Sequence, residues 1–209
     1  MRYERVSKIL KSDYMETIIL TVILFAGVFA FWFGLRLGLR NDFPLLAVAS
    51  GSMEPFLYRG DLIVVQGVSN FSELRAEFYR FPNGTVNPNP GEVVVYYDPR
   101  YGKDIYHLIV HRAVNKNLEN GTWYFDTKGD ASWGSSVDPW GPIREDFVIG
   151  KVIGKAPWIG QIPLFMHENP YLAIIVIILL FAALVIVDFI FPQKKDKDKD
   201  KEEVSEAIS

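Results

Sequence analysis

A serine hydroxyl is a poor nucleophile until a base takes its proton, and a neighbouring glycine lets other groups approach it closely. Ser50-Gly51-Ser52-Met53-Glu54-Pro55 offers both features, a short way beyond an apolar stretch at residues 17–35. Candidate bases are few, because the chain has only His107, His111 and His167. His111 lies in Leu108-Ile109-Val110-His111-Arg112-Ala113-Val114, where a polar group among apolar neighbours needs a partner. A rigid strand is a good mount for a general base. Acids follow at Thr127-Lys128-Gly129-Asp130 and at Asp138-Pro139. A carboxylate accepting from the imidazole would fix its tautomer and stabilise the imidazolium formed during attack. The chemistry these residue types allow is acyl transfer through a serine. Each also has an ordinary reading: Ser-Gly-Ser is a common loop sequence, a lone histidine is usually structural, and either aspartate is a turn former.

Other chemistries are poorly supplied. His107 and His111 stand at a zinc-binding spacing for a helix, but the residues between them read as a strand and the glutamate of His-Glu-x-x-His is missing. No metal and no cofactor are expected. The absence of cysteine excludes disulfides, thiol catalysis and cysteine-bound metals. A formal net charge of -3 gives no reason to expect nucleic acid as a partner.

The elements that must hold these residues are short and β-rich. Strands are expected over 61–65, 92–97, 105–114, 122–127 and 147–153, with turns at Asn120-Gly121, Asp138-Pro139 and Gly141-Pro142. Residues 69–90 read as an insertion that opens with a short helix over 72–79 and ends in Asn/Pro-rich chain. The fold class is a mainly β catalytic domain with a curled sheet, set between two transmembrane α-helices.

The helices follow from segregated hydropathy. Hydrophobic residues make up 49% of the 209 although 22% are charged. Residues 17–35 and 169–187 carry no charge, and each run can cross about 30 Å of hydrocarbon at about 1.5 Å per residue. A cleaved leader ending at Ala47-Val48-Ala49 fits less well, because Arg36, Arg40 and Asp42 intervene. The expected order is a cytoplasmic N-terminus (1–16), a span (17–35), an extracytoplasmic catalytic domain (36–168), a second span (169–191) and a charged disordered tail (192–209). Orientation rests on Arg2, Arg5, Lys8 and Lys11 before the first span, and on Lys194, Lys195, Lys197, Lys199 and Lys201 after the second. Three sequons, at Asn70, Asn83 and Asn120, fall in the segment placed outside. Asp188 reads as a boundary residue, and Trp32, Phe33, Phe43, Trp158 and Phe165 as members of an interfacial belt or of the core.

Taken together, the blocks resemble the type I signal peptidase family, in its archaeal and endoplasmic-reticulum branch. They are Ser50-Gly51-Ser52-Met53-Glu54-Pro55, Arg59-Gly60-Asp61-Leu62-Ile63-Val64-Val65, Gly91-Glu92-Val93-Val94-Val95-Tyr96, His111-Arg112 and Thr127-Lys128-Gly129-Asp130, in the family order. The likeness covers residues 40–155 apart from 69–90. It implies a membrane-bound serine endopeptidase that removes signal peptides from secretory precursors, with Ser52 as nucleophile and His111 where the bacterial branch has a lysine. It also implies the Ser50 hydroxyl and the Ser52 N–H as oxyanion donors. For the orienting acid, Asp130 fits the Gly-Asp block and Asp138 the later position, although residues 131–137 make a longer spacer than the family pattern. Asp138 is the preferred partner of His111, and Asp130 a supporting acid. Implied partners are secretory precursors, the lipid bilayer and other membrane subunits or a translocon. Two rival readings remain: a membrane-anchored β binding or scaffold module, and a hydrolase with a metal on His107 and His111.

Overall fold

A computed structural model describes residues 13–81, 83–132 and 136–190. The basic residues expected before the first span and the charged tail over 192–209 lie outside that set. The chain divides into two compact units, Met1–Leu164 and Phe165–Ser209.

The first unit opens with helix α1 (Asp13–Leu39), followed by strands β1 (Leu45–Ala47), β2 (Leu62–Gln66), β3 (Val93–Tyr97), β4 (Leu108–Glu119), β5 (Thr122–Lys128), β6 (Ile143–Arg144) and β7 (Val148–Ala156). They form one sheet in the order β1-β2-β7-β3-β4-β5-β6, with antiparallel pairing throughout. Helix α2 (Gln161–Glu168) crosses the division between the units, and α3 (Pro170–Ile190) belongs to the second.

α1 ends on backbone hydrogen bonds that consume its last carbonyls. Asn41 N–H donates to Arg36 O and Arg40 N–H to Leu37 O, while Arg40 takes a left-handed φ of 48°. This is a Schellman stop formed without glycine. Gly67 N–H then donates to Leu39 O, and Asn41 Nδ2 to Val65 O, so the helix end is pinned to β2. Above that anchor the apolar side chains are uncovered: Leu24 is 65% exposed and Phe29 61%. Among the described residues Ile19–Leu39 is the one helix long and apolar enough to cross a membrane; a second is counted only if the bent pair Gln161–Glu168 and Pro170–Leu179 is one span.

β3 explains why the core has two halves. Val93 and Val95 enter one buried cluster, with Met53, Leu57, Ile63 and Val65. Val94 and Tyr96 enter the other, with Leu74, Ala113, Phe125 and Ile143. A strand covered on both faces reads as an unbroken apolar run, as Val93-Val94-Val95-Tyr96 does.

Several expected elements differ from those observed. β4 starts at Leu108, three residues later than expected, because Asp104 takes the Tyr106 N–H on its side chain and the His107 N–H on its carbonyl. It then runs on to Glu119 and turns at Asn120-Gly121, whose φ values of 50° and 83° suit a two-residue hairpin. The helix expected over 72–79 is absent: only Phe71–Glu73 makes a single 3-10 turn. Beyond it Glu77 N–H donates to Ala113 O, Glu92 N–H to Arg75 O and Gly91 N–H to Glu77 O. Tertiary partners for the backbone outweigh the helix propensity of Ser72-Glu73-Leu74-Arg75-Ala76-Glu77. The short strands β1 and β6 and the helix α2 have no counterpart among the expected elements.

Candidate active site

The Ser52 segment is a turn fastened from beneath. Glu54 N–H donates to Gly51 O, and Leu57 N–H to Met53 O. Met53 and Leu57 are fully buried in the first core cluster, each burial worth roughly 1.5–3 kcal/mol. They hold the loop down while Ser52 stays partly open to solvent. On its other side, Ala131 N–H donates to Ser52 O at 3.0 Å, which ties the loop to the chain after β5.

His111 is mounted on β4, opposite Val94 of β3. Its Nε2 stands 3.1 Å from Ser52 Oγ, and its Nδ1 2.6 Å from Asp138 Oδ2. An ionised carboxylate only accepts, so Nδ1 carries the proton and the Nε2 lone pair faces the serine. The His111 and Asp138 side chains are each 12% exposed, a setting in which charge interactions are stronger than in bulk water. The same Asp138 oxygen accepts from Thr127 Oγ1 at 2.8 Å, and Asp138 N–H donates to Thr127 O at 2.9 Å. Thr127 Oγ1 in turn lies 2.8 Å from the Tyr96 hydroxyl. Burial, reinforced by the nearby Asp138 charge, pushes the Tyr96 phenol well above its usual range, so it keeps its proton and can donate. The donor order is Tyr96 to Thr127 to Asp138. Trp140 stacks over His111 with ring centroids 6.1 Å apart.

Asp130 is held elsewhere. Arg112, the next residue along β4, points to the opposite face and grips it with two parallel bonds, Nε–Oδ1 at 2.8 Å and Nη2–Oδ2 at 2.5 Å. Both side chains are buried. Arg112 also donates to the Gly91 carbonyl and lies between the rings of Phe56 and Tyr79, at 4.9 and 5.3 Å from their centroids. This buried fork joins the Ser52 loop, the 69–90 segment and the chain after β5.

Of the residues singled out from sequence, Ser50, Ser52, His111 and Asp138 come together, with Ser50 Oγ 3.2 Å from Ser52 Oγ. Asp130 stands one step away through Arg112. His107 is not part of the group: its Nδ1 pairs with Asp104 and its ring stacks on Tyr101 at 4.0 Å. Among the described residues no group of three or more His, Cys, Asp or Glu side chains could hold a metal ion. Sequence reasoning did not find the supporting roles of Tyr96 and Thr127, nor Trp140. Thr127 could have been found from the β4–β5 register, which sets it opposite Ala113, two residues past His111. Trp140 has no local signal beyond its place two residues after Asp138.

No family model matches the chain. Curated relatives do. The signal peptidase complex catalytic subunit SEC11 of Tuber melanosporum is 33% identical over 156 residues, which cover 72% of this chain and 77% of that protein. The chain belongs to the SEC11 family of signal peptidases. The SEC11 protein of Metarhizium robertsii is 31% identical over 154 residues, 72% of this chain and 79% of that one. That of Saccharomyces cerevisiae is 28% identical over 163 residues, 75% and 86% of the two chains. Membership in the SEC11 family agrees with the resemblance read from the ordered blocks, and it makes the chain a signal peptidase, a hydrolase of signal-peptide processing.

Proposed function

We propose that the chain is a membrane-bound serine endopeptidase that cuts signal peptides from secretory precursors, with Ser52 as nucleophile, His111 as general base and Asp138 as the acid that orients it. The observation that carries this reading is the continuous line of hydrogen bonds from Asp138 through His111 to Ser52. Ser52 Oγ adds to the scissile carbonyl as its proton passes to His111 Nε2, and Asp138 stabilises the imidazolium. The developing oxyanion is met by the Ser52 N–H and the Ser50 hydroxyl, a type of donor worth roughly 2.7–4 kcal/mol each. Collapse breaks the C–N bond and His111 gives its proton to the leaving amine. Water, deprotonated by His111, then cleaves the acyl ester, releases the signal peptide's carboxylate and restores the serine hydroxyl.

Location is part of the mechanism. The uncovered apolar surface of α1 supports an anchor in the bilayer. With α3 as a second span, both termini lie in the cytoplasm and residues 36–168 outside. The nucleophile, 13 residues past the end of α1 at Leu39, then meets a membrane-embedded precursor at matching depth, which is a contribution by position. Residues 1–16 and 192–209 form the cytoplasmic ends, and 69–90 an insertion in the catalytic domain. The SEC11 relatives are subunits of a complex, and this chain by analogy joins other membrane subunits around the translocating precursor.

The reading is tested by cleavage of a purified precursor with the full chain in lipid vesicles, with and without chelator. Loss of cleavage in His111→Ala, retention in His107→Ala and indifference to chelator are expected. Loss in His107→Ala together with chelator sensitivity would favour the metal reading instead.

A further inference from the structure

Resting on that reading, we infer that Tyr96 and Thr127 are positioning residues of the reaction, a pair of buried hydroxyls that fixes the one Asp138 oxygen His111 uses and moderates its hold on the imidazolium proton. The two come from the strands that flank β4 on either side, Tyr96 from β3 and Thr127 from β5. Both are enclosed: Tyr96 is 0% exposed and Thr127 1%. A hydroxyl has one proton to give. Tyr96 keeps its own and donates it to Thr127 Oγ1 at 2.8 Å, which leaves the Thr127 proton for Asp138 Oδ2, also at 2.8 Å. That carboxylate oxygen takes the His111 Nδ1 proton at 2.6 Å as well, and the Tyr96 hydroxyl stands 3.4 Å from it. Asp138 is thus tied to Thr127 twice, by its backbone N–H to Thr127 O and by its carboxylate to Thr127 Oγ1.

The double tie bears first on aim. Asp138 follows a long spacer, and its carboxylate is set on the line to His111 by bonds to a β-strand; without the Thr127 hydroxyl the side chain is free to turn about its own bonds. It bears next on proton affinity. Donors on a carboxylate favour its charged form, so an oxygen shared by His111 and Thr127 attracts the imidazolium proton less than one that serves His111 alone. The imidazole can then hand that proton to the leaving amine. The other charged groups around His111 are held by partners of their own or stand on the Ser52 loop. Arg100 lies over the Trp140 ring and pairs with Asp98, Lys128 of β5 donates to Ser136 O, Arg112 pairs with Asp130 on the opposite face, and Glu54 lies beside Gly51. A substitution at Tyr96 or Thr127 leaves all of these in place.

The experiment measures kcat and KM against pH for cleavage of one purified precursor by the full chain in lipid vesicles. Thr127→Val removes the hydroxyl and keeps the shape of the side chain; kcat is expected to fall roughly tenfold, the size of a hydrogen bond to a charged group, with KM unchanged. The acid limb of kcat/KM should move up by about half a pH unit, because Asp138 with one donor fewer keeps His111 protonated to higher pH. Tyr96→Phe should shift both quantities in the same directions by less, since Thr127 retains its own bond to Asp138, and it carries the test alone if Thr127→Val does not fold. Thr127→Ser, which restores the hydroxyl, should stay close to wild type in both. A wild-type kcat and an unmoved acid limb in Thr127→Val and Tyr96→Phe would overturn the inference, as would a loss in Thr127→Ser equal to that in Thr127→Val, the mark of packing alone. Asp138→Asn, run beside them, should be nearly inactive; cleavage by it at the wild-type rate would instead overturn the catalytic reading on which the inference rests.

Discussion

A methyl group at Gly129 would sit 2.6 Å from the Ser52 carbonyl oxygen, a backbone atom that cannot swing away. Gly129→Ala should therefore displace the Ser52 loop from His111 and lower kcat by about a hundredfold, the cost of a misplacement near 1 Å, with the folded state retained in a thermal melt. The two aspartates should separate by what they change. Asp138→Asn leaves His111 with the wrong tautomer and should cost roughly 10⁴-fold in kcat at an unchanged melting temperature. Asp130→Asn leaves the buried Arg112 without its counter-charge and should destabilise the fold by roughly 3–5 kcal/mol in a denaturant titration. Both aspartates are visible in the sequence as acids near a Gly-Asp block. What separates them is the alternation along β4, which sends His111 and Arg112 to opposite faces, and the return of the chain that brings Asp138 N–H onto Thr127 O. The first point is available from a strand pattern; the second needs the path of residues 131–137, for which neither periodicity nor composition gives a rule.

Strands with a strong apolar pattern were legible because their burial writes the pattern. β2, β3 and β5 begin and end within one or two residues of the expected spans. β1 and β6, of three and two residues, owe their conformation to pairing with β2 and β5 and have no pattern of their own. α2 is short, and its Pro163 occupies the first turn, where a missing N–H costs nothing; read alone, that proline suggests a break. The loop from β3 to β4 and the turn between β6 and β7 lead to a prediction about acid. A side-chain hydrogen bond from Arg100 holds the Asp98 carboxyl below its ordinary 3.8, a backbone bond from Tyr106 does the same for Asp104, and Arg144 does so most strongly for Asp146. Carboxyls lowered in the folded state stabilise it above their unfolded value, and that contribution is lost as pH falls. Stability in urea should thus be flat near neutrality and drop below about pH 4. In Asp98→Asn and Asp146→Asn part of that acid-dependent loss should disappear.

For the molecule as a whole, segregated hydropathy was the most legible feature, since an uncharged run long enough to cross a bilayer needs no tertiary information. α1 accords with this, ending on a built stop with its apolar surface uncovered. The orientation proposed for the chain can be read directly because it has no native cysteine. Single substitutions Asn83→Cys and Lys199→Cys, exposed to a membrane-impermeant thiol reagent in right-side-out vesicles, should label at position 83 and not at 199 until detergent is added. Labelling at 199 without detergent would contradict the two-span arrangement.

The central claim is that Ser52 makes the covalent bond. Its most direct measurement is cleavage of a purified secretory precursor by the full chain and by Ser52→Ala at equal amounts in lipid vesicles. The account predicts a mature product with wild type and none with Ser52→Ala, whose melting temperature should match wild type. Mature product from Ser52→Ala at a rate near that of wild type would contradict it.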